Sequence, residues 1–449
     1  MRTAVEVSVA TRAEFSCERF DEQKDAPRIA IPESNRRIAA RTTVPVASGY
    51  SVRMADTGTI LEARIERLMA NGAGLARVDG RVLFVRGGLP GDRVRARVVR
   101  SAKRHDEALV EELLEASPDR RTPRCAHFGA CGGCALQDLA YPAQLAAKRE
   151  LLLDALRSIA GIRPEFEIVV LGSPEYGWRS RAEFQVLGDE GAARPAAIRA
   201  RSKDLEPVHE CPVLLPTLEA ELKSLADGSR AIPTGSRHLH LAAGDAAVAV
   251  VPTNAKGQVI GKEREVVQKV LGLELAFGAS GFFQANRVLL ESLVERATGG
   301  ARGDVAFDLY AGSGLFSVQL ARAFDIVMAV EEDAAAVERL RANAKRNGRT
   351  GVLAEASDVG RWLVRAKKLG PDFVLMDPPR SGTEPGVVDA VAAIGPREIS
   401  IVSCDPAMLA RDLKTLVASG YVLESLVVID LFPQTLHVET VARLTRIVE

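Results

Sequence analysis

No stretch of the 449-residue chain is apolar for the ~18–20 residues that a membrane-spanning helix needs, so a protein built on such helices is not expected. The opening residues, MRTAVEVSVATRAEFSCERFDEQ, mix charges throughout and lack the continuous apolar run of a secretory leader. A cytoplasmic protein is the resulting expectation. Surplus charge is missing as well. The 59 Lys and Arg balance 59 Asp and Glu, which argues neither for nor against a polyanionic partner. Cysteine is scarce, six in all, and in a cytosolic chain these are not expected to pair as structural disulfides. Internal repeats and low-complexity tracts are absent, and no pattern calls for an obligate protein partner.

What remains is an ordinary globular composition, 47% hydrophobic and 26% charged. The chain is too long for one core, so several domains are expected. Residues 1–55 show no sustained period and read as a disordered extension, with Met54 a candidate translation start. Residues 56–117 run in short alternating segments (ILEARIERL, GLARVDGRVLFVRG, DRVRARVVRSAKR, DEALVEELLE) punctuated by Gly and Asp. That pattern predicts a small all-β barrel. Between Arg77 and Arg104 stand nine Arg or Lys and two acids, which suits a solvated strand face or a surface tracking nucleic-acid phosphates. Residues 118–300 read as a mixed α/β central region with a second basic cluster at Arg179, Arg181, Arg194, Arg199, Arg201 and Lys203. Over residues 301–449, DVAFDLY, IVMAVE, FVLMDPP and EISIVSC alternate with helical stretches. Such alternation predicts a Rossmann-like, mostly parallel sheet flanked by helices.

Chemistry-bearing residues fall where those strands should end. Gly312 and Gly314, in DLYAGSG, let a backbone loop approach a ligand closely. Glu331 closes the next strand, where a carboxylate can accept ribose hydroxyls. The third glycine of a dinucleotide loop is lacking, so an adenosine-containing ligand fits better than a dinucleotide. Asp358 follows the third strand, either meeting an adenine edge or serving as a plain loop aspartate. Asp377 opens Asp-Pro-Pro-Arg, a rigid turn able to hold a planar base. Cys404 lies just before a predicted helix, whose N-terminus is expected to lower its thiol pKa and arm it as a nucleophile. Glu439, on a final alternating strand, is a solvated charge or a general base.

Cys125, Cys131 and Cys134 form C-x5-C-G-G-C, and Cys211 follows far downstream. This 3+1 spacing suits a [4Fe–4S] cluster better than structural zinc, which usually shows two C-x2–4-C pairs. His127 and His209 read as loop residues.

The order C-x5-C-G-G-C, FFQAN, DLYAGSG, DPPRSG, SCDPAMLARDL, LFPQTLHVE resembles the bacterial RNA 5-methyluridine methyltransferases over residues 57–449. Within that family it is most similar to the 23S ribosomal RNA enzymes that join a TRAM barrel to an iron–sulfur cluster. The resemblance implies S-adenosylmethionine as cofactor, lined by Gln284, Tyr310, Leu315, Glu331, Asp358 and the loop glycines. It implies Cys404 as nucleophile, Glu439 as base, Asp377 on the uracil edge, and 23S rRNA rather than tRNA as partner. Leu315 replaces a polar residue common in the family, leaving only a backbone contact there. Cytosine-C5 and exocyclic-amine methylation are the competing chemistries. The first needs a Pro-Cys turn and the second an aromatic in place of Arg380. A non-catalytic RNA-binding or RNA-folding module is the competing class.

Overall fold

The computed structural model describes residues 56–188 and 191–447; the expected extension over residues 1–55, with Cys17 and Met54, lies outside the described residues. The first sheet has six strands: β1 Ile60–Arg64, β2 Arg67–Leu68, β3 Ala73–Val78, β4 Arg81–Arg86, β5 Arg93–Ser101 and β6 His105–Glu115. Their order is β1-β5-β6-β4-β3-β2. Alternation decides which face is buried. Val94, Ala96 and Val98 of β5 turn inward onto Ile65, Leu83 and Val85, while Arg93, Arg95 and Arg97 turn out.

Those outward arginines are not free. Arg95 bonds Glu62 and Glu112, Arg97 meets Glu111, Arg100 and Arg86 share Glu107, and Arg93 faces Glu115. Arg77 pairs with Glu66, and the largely buried Arg81 with Asp106. Seven of the nine cations counted in the sequence are thus matched by acids among the described residues. The basic stretch is mainly a cross-strand ion-pair ladder, because β6 brings Glu107, Glu111, Glu112 and Glu115 alongside β5.

The middle of the chain supplies α1 Tyr141–Ala155, which runs on through residues 156–160, then β7 Val169–Leu171, β8 Arg181–Leu187, β9 Arg194–Ile198 and β10 Leu205–Pro207. α2 Pro216–Ala226, β11 His238–Ala243, β12 Val248–Thr253, β13 Glu265–Val270, β14 Leu273–Gly278 and α3 Leu290–Thr298 follow. Strands β10-β9-β8-β11-β12 form an antiparallel sheet. Leu218, Leu222 and Leu225, spaced along one face of α2, bury against its Leu239 and Leu241.

The last third is β15 Gly303–Leu309, α4 Leu315–Leu320, β16 Phe324–Glu331, α5 Ala334–Arg346, β17 Val352–Ala356, α6 Val359–Ala366 and β18 Phe373–Met376. It continues with α7 Val387–Ile394, β19 Glu398–Ser403, α8 Pro406–Ala418, β20 Tyr421–Ile429 and β21 Glu439–Arg446. The eight-stranded order is β17-β16-β15-β18-β19-β21-β20-β7. β15 to β19 are parallel, whereas β21 runs against both its neighbours. Strand order reverses between β15 and β18, and the crevice beyond their carboxyl ends is where open α/β sheets take ligands. α1 and β7 belong to this packing. Leu151, Leu152 and Leu156 share a core with Leu409, Leu413 and Leu416 of α8, and β7 extends the sheet beside β20.

Candidate active site

One cleft of about 780 Å³ opens at that switch point, within the range of small-ligand sites. The loop after β15 forms one wall. Gly314 sits at φ 93° and Gly312 at φ 52°, and a Cβ on Gly314 would lie 2.8 Å from Leu340 Cγ. Tyr310 also takes positive φ, 65°, and its hydroxyl donates to Glu384. Gly312 N donates to Glu331 Oε2 and Asp333 N to its Oε1, both at 2.9 Å, so Glu331 shapes the loop while it lines the cleft. Asp358 lines the cleft and also caps α6, accepting from Arg361 N at 2.8 Å. Asp358 is thus a helix cap that also faces the cleft. Gln284 and Leu315 are buried at the same cavity.

The other end of the cleft gathers the reactive groups. Asp377 follows β18 and Cys404 follows β19. Because β21 is antiparallel, its first residue stands at the same edge. Ser403 pairs with Thr440 and so sets Glu439 beside Cys404. Glu439 is 3% exposed, not a solvated charge. Burial holds its carboxyl well above the ordinary range, and the nearby charge of Asp377 adds to this. Asp377 is itself raised to about 7 by burial and by Asp308, while a hydrogen bond with Gln284 opposes the shift.

The thiol of Cys404 departs from expectation. It is pushed up to about 12, first by burial, then by Glu439 and Asp377; Arg380 pulls the other way. The α8 N-terminus is where the sequence placed it, but Asp405 already caps it, accepting from Ala407 N at 2.8 Å and Met408 N at 3.0 Å. A helix end satisfied by a carboxylate has little left for a thiolate.

Phe432, Thr435 and His437 form the wall leading to Glu439, and Arg179 with Gly132 and Gly133 closes the mouth. Arg380 and His437, within DPPRSG and LFPQTLHVE, and Arg179, from the second basic cluster, line the cleft without a role assigned by the motifs. Burial, with the cations Arg380, Lys148 and Arg179, lowers His437 to about 4, leaving a neutral imidazole.

The four cysteines do converge. Cys125, Cys131, Cys134 and Cys211 are free thiols around a separate small cavity. Burial is the main cause that raises Cys211 to about 12, and its three cysteine neighbours add to it. Gly133 N approaches Cys131 Sγ at 3.4 Å. Among the described residues, no three His, Cys, Asp or Glu are gathered as ligands of a single metal ion. None of the described helices is long and apolar enough to cross a membrane.

A doubly wound sheet of this order, with a glycine loop and an acidic residue at its switch point, defines a methyltransferase-type α/β domain. Residues 239–447 match the family described as tRNA (Uracil-5-)-methyltransferase, and residues 55–105 match the TRAM domain. The chain is 33% identical over 434 residues to the 23S rRNA (uracil(1939)-C(5))-methyltransferase RlmD of Pseudomonas entomophila, covering 88% of this chain and 96% of that protein. It is 36% identical to the RlmD of Halomonas elongata, over 84% and 88% of the two chains. The solved tRNA (uracil-54, C5)-methyltransferase of Pyrococcus abyssi, in complex with S-adenosyl-L-homocysteine, superposes with a TM-score of 0.66 at 25% identity. That match covers 86% of this chain and all of that one. The chain belongs to the RNA uracil-C5 methyltransferase family.

Proposed function

We propose that this enzyme methylates carbon 5 of a uridine in 23S rRNA, with Cys404 as nucleophile and Glu439 as base. The observation that carries the reading is the β19–β21 register that sets Cys404 beside buried Glu439 at the cofactor cleft. The 23S substrate rests on the named relatives and the TRAM match. Uracil C5 is a poor nucleophile. Addition of Cys404 Sγ to C6 makes C5 electron-rich. S-Adenosylmethionine supplies the methyl group. Its adenosine fits the cavity between the Gly312–Gly314 loop, Glu331 and Asp358; Tyr310, Leu315 and Gln284 complete the lining. Glu439 then takes the C5 proton, the C5=C6 bond re-forms and Cys404 leaves as thiolate. Asp377, raised to about 7, is able to stay protonated and donate to the uracil edge. The uridine must leave its stack to enter so enclosed a site.

The division of labour follows the chain: a barrel over residues 56–117 that contacts RNA, a central region over 118–300, and the transfer domain over 301–449. The cysteine cavity suits a [4Fe–4S] cluster. All four cysteines line one small cavity, and their 3+1 spacing lacks the two close pairs usual for structural zinc. Bound there, a cluster would tie Cys211, in the loop between β10 and α2, to the Cys125–Cys134 loop, and the reaction is routed through none of it. Iron and sulfide analysis after anaerobic purification tests this assignment; stoichiometric zinc overturns it.

Covalent trapping on 5-fluorouridine RNA tests the enzymatic reading. Fluorine cannot leave as a proton, so a denaturation-resistant adduct is expected with 23S fragments and S-adenosylmethionine, and none with Cys404→Ala. An adduct with transfer RNA alone would move the substrate. No adduct on either RNA would end the uridine-C5 mechanism.

A further inference from the structure

The strand-to-strand loop 430–438, between β20 and β21, carries Phe432, Thr435 and His437 on the cleft wall and ends at Glu439. Its first part is clamped by buried charge. Lys148 Nζ lies 2.5 Å from Asp430 Oδ1 and donates to Phe432 O at 2.9 Å, and Tyr141 OH donates to Asp430 Oδ2 at 2.9 Å. Its middle is held differently, by a carboxamide and two backbone amides. Gln144 of α1 is fully buried, and the two hydrogens of its Nε2 are shared among three acceptors, Leu136 O and Leu139 O at 2.8 Å and Gln434 Oε1 at 2.9 Å. Its Oε1 accepts from Gln434 N at 3.0 Å. Gln434, also fully buried, takes the left-handed conformation at φ 68°, and its carbonyl accepts from Ala135 N at 2.9 Å and Leu136 N at 3.0 Å.

Two segments almost 300 residues apart are thereby joined by two backbone bonds and by the Gln144 side chain, which reaches both. One is the tail of the cysteine loop at Cys134–Leu139; the other is the loop that delivers Glu439. We infer that Gln144 is a positioning residue for the elimination half of the reaction. It fixes the middle of the 430–438 loop so that the Glu439 carboxylate reaches the C5 proton. The inference rests on the reading of Glu439 as base. None of the hydrogen bonds of Gln144 reaches β19, the Asp405-capped α8 or the loops after β15 and β16. Its loss is therefore expected to leave thiolate addition and methyl transfer in place while slowing proton removal.

The step separates the two halves cleanly. On ordinary RNA, the Cys404–C6 bond breaks only when a base takes hydrogen from C5. On 5-fluorouridine RNA, no base is used and the methylated adduct is the end point. For Gln144→Met, adduct yield on 5-fluorouridine RNA and S-adenosylmethionine affinity should stay within about twofold of wild type. Release of methylated product from ordinary RNA should fall at least tenfold, the scale of a small misplacement of a catalytic group, and a covalent adduct should build up on that RNA. Gln434→Gly suits the positive φ, keeps the carbonyl that Ala135 and Leu136 grip, and removes only the carboxamide. It should show the same partition, and it carries the test where Gln144→Met does not fold. Wild-type turnover in a folded variant, or equal loss of turnover and of adduct formation, overturns the inference. Glu439→Gln is the control. If that variant releases product at the wild-type rate, the base assignment itself fails; if it stalls as adduct while the Gln144 and Gln434 variants do not, only the positioning role fails.

Discussion

The high thiol pKa of Cys404 has a kinetic consequence that Arg380 exposes. With the thiol at about 12, its thiolate fraction at pH 7.5 is on the order of 10⁻⁴ to 10⁻⁵, against roughly 0.1 for an unperturbed thiol near 8.5. At that value the proposed nucleophile is protonated across the physiological range, and the rate of addition is expected to rise with pH. An opposite charge near an ionising group is worth roughly 1–3 pKa units, and Arg380 is the cation that pulls this thiol down. Arg380 is exposed, so the low end, about one unit, is appropriate. Arg380→Met should raise the thiol pKa further and slow adduct formation roughly tenfold at each pH; Arg380→Lys should recover most of the rate. The assay is adduct formation on 5-fluorouridine RNA at saturating RNA and S-adenosylmethionine between pH 6.5 and 9. A rise of about tenfold per pH unit, parallel in wild type and Arg380→Met, is expected. A flat profile with no effect of Arg380 would refute the reasoning. It would mean that the α8 end lowers the thiol after all, despite Asp405.

Other perturbations read the scaffold. Gly314→Ala forces a side chain into φ 93° and onto Leu340, and titration calorimetry should show S-adenosylmethionine affinity falling at least tenfold, at a conformational cost of about 1–2 kcal/mol. Lys148→Met strands the buried Asp430 and should cost about 3–5 kcal/mol in urea unfolding, whereas Lys148→Met with Asp430→Leu should recover most of it. Burial works to raise the carboxyl of Asp92, but Arg120 and the Ser117 and Leu89 amides outweigh it and hold the pKa below the ordinary value. The stability Asp92 contributes is therefore present above the unfolded carboxylate value near ~3.9 and lost as pH falls through the lower folded value. Acid unfolding between pH 5 and 2 should show Asp92→Asn with the weaker pH dependence. Arg95 is already met by Glu62 and Glu112, so Arg95→Ala should change the salt slope of RNA binding by less than the ~0.7 lost with one phosphate contact.

Much of the site was legible because its signals are local. Glycines at positive φ, acids at strand ends and Cys404 before a helix all announce themselves within a few residues. Relations across the chain were not legible. The barrel arginines look like a free basic stripe because their acids lie outside it, mostly on β6 past its end and otherwise at Glu62 and Glu66 before its start. Glu439 looks like a surface charge until the antiparallel direction of β21 is known, since alternation gives a strand but not its heading. The high thiol pKa of Cys404 is not legible either, because its causes, burial first and then Glu439 and Asp377, come from packing across the sheet.

Gln144 marks the limit most sharply. A glutamine among alanines and charged residues on a helix reads as solvent-facing, and nothing near it in the sequence argues otherwise. Its burial follows from what surrounds it: Leu139 O and the Gln434 amide are polar groups sealed from water, and an apolar residue at 144 would leave them unpaired, while Leu136 O would keep only Leu139 N. Each unpaired group would cost about 1–3 kcal/mol. The loop that delivers Glu439 must be irregular to line a cleft, so its backbone cannot satisfy itself within the sheet. The pairing comes instead from a helix far back in the chain. That requirement places a polar residue in the core, and it ties the cysteine loop to the 430–438 loop.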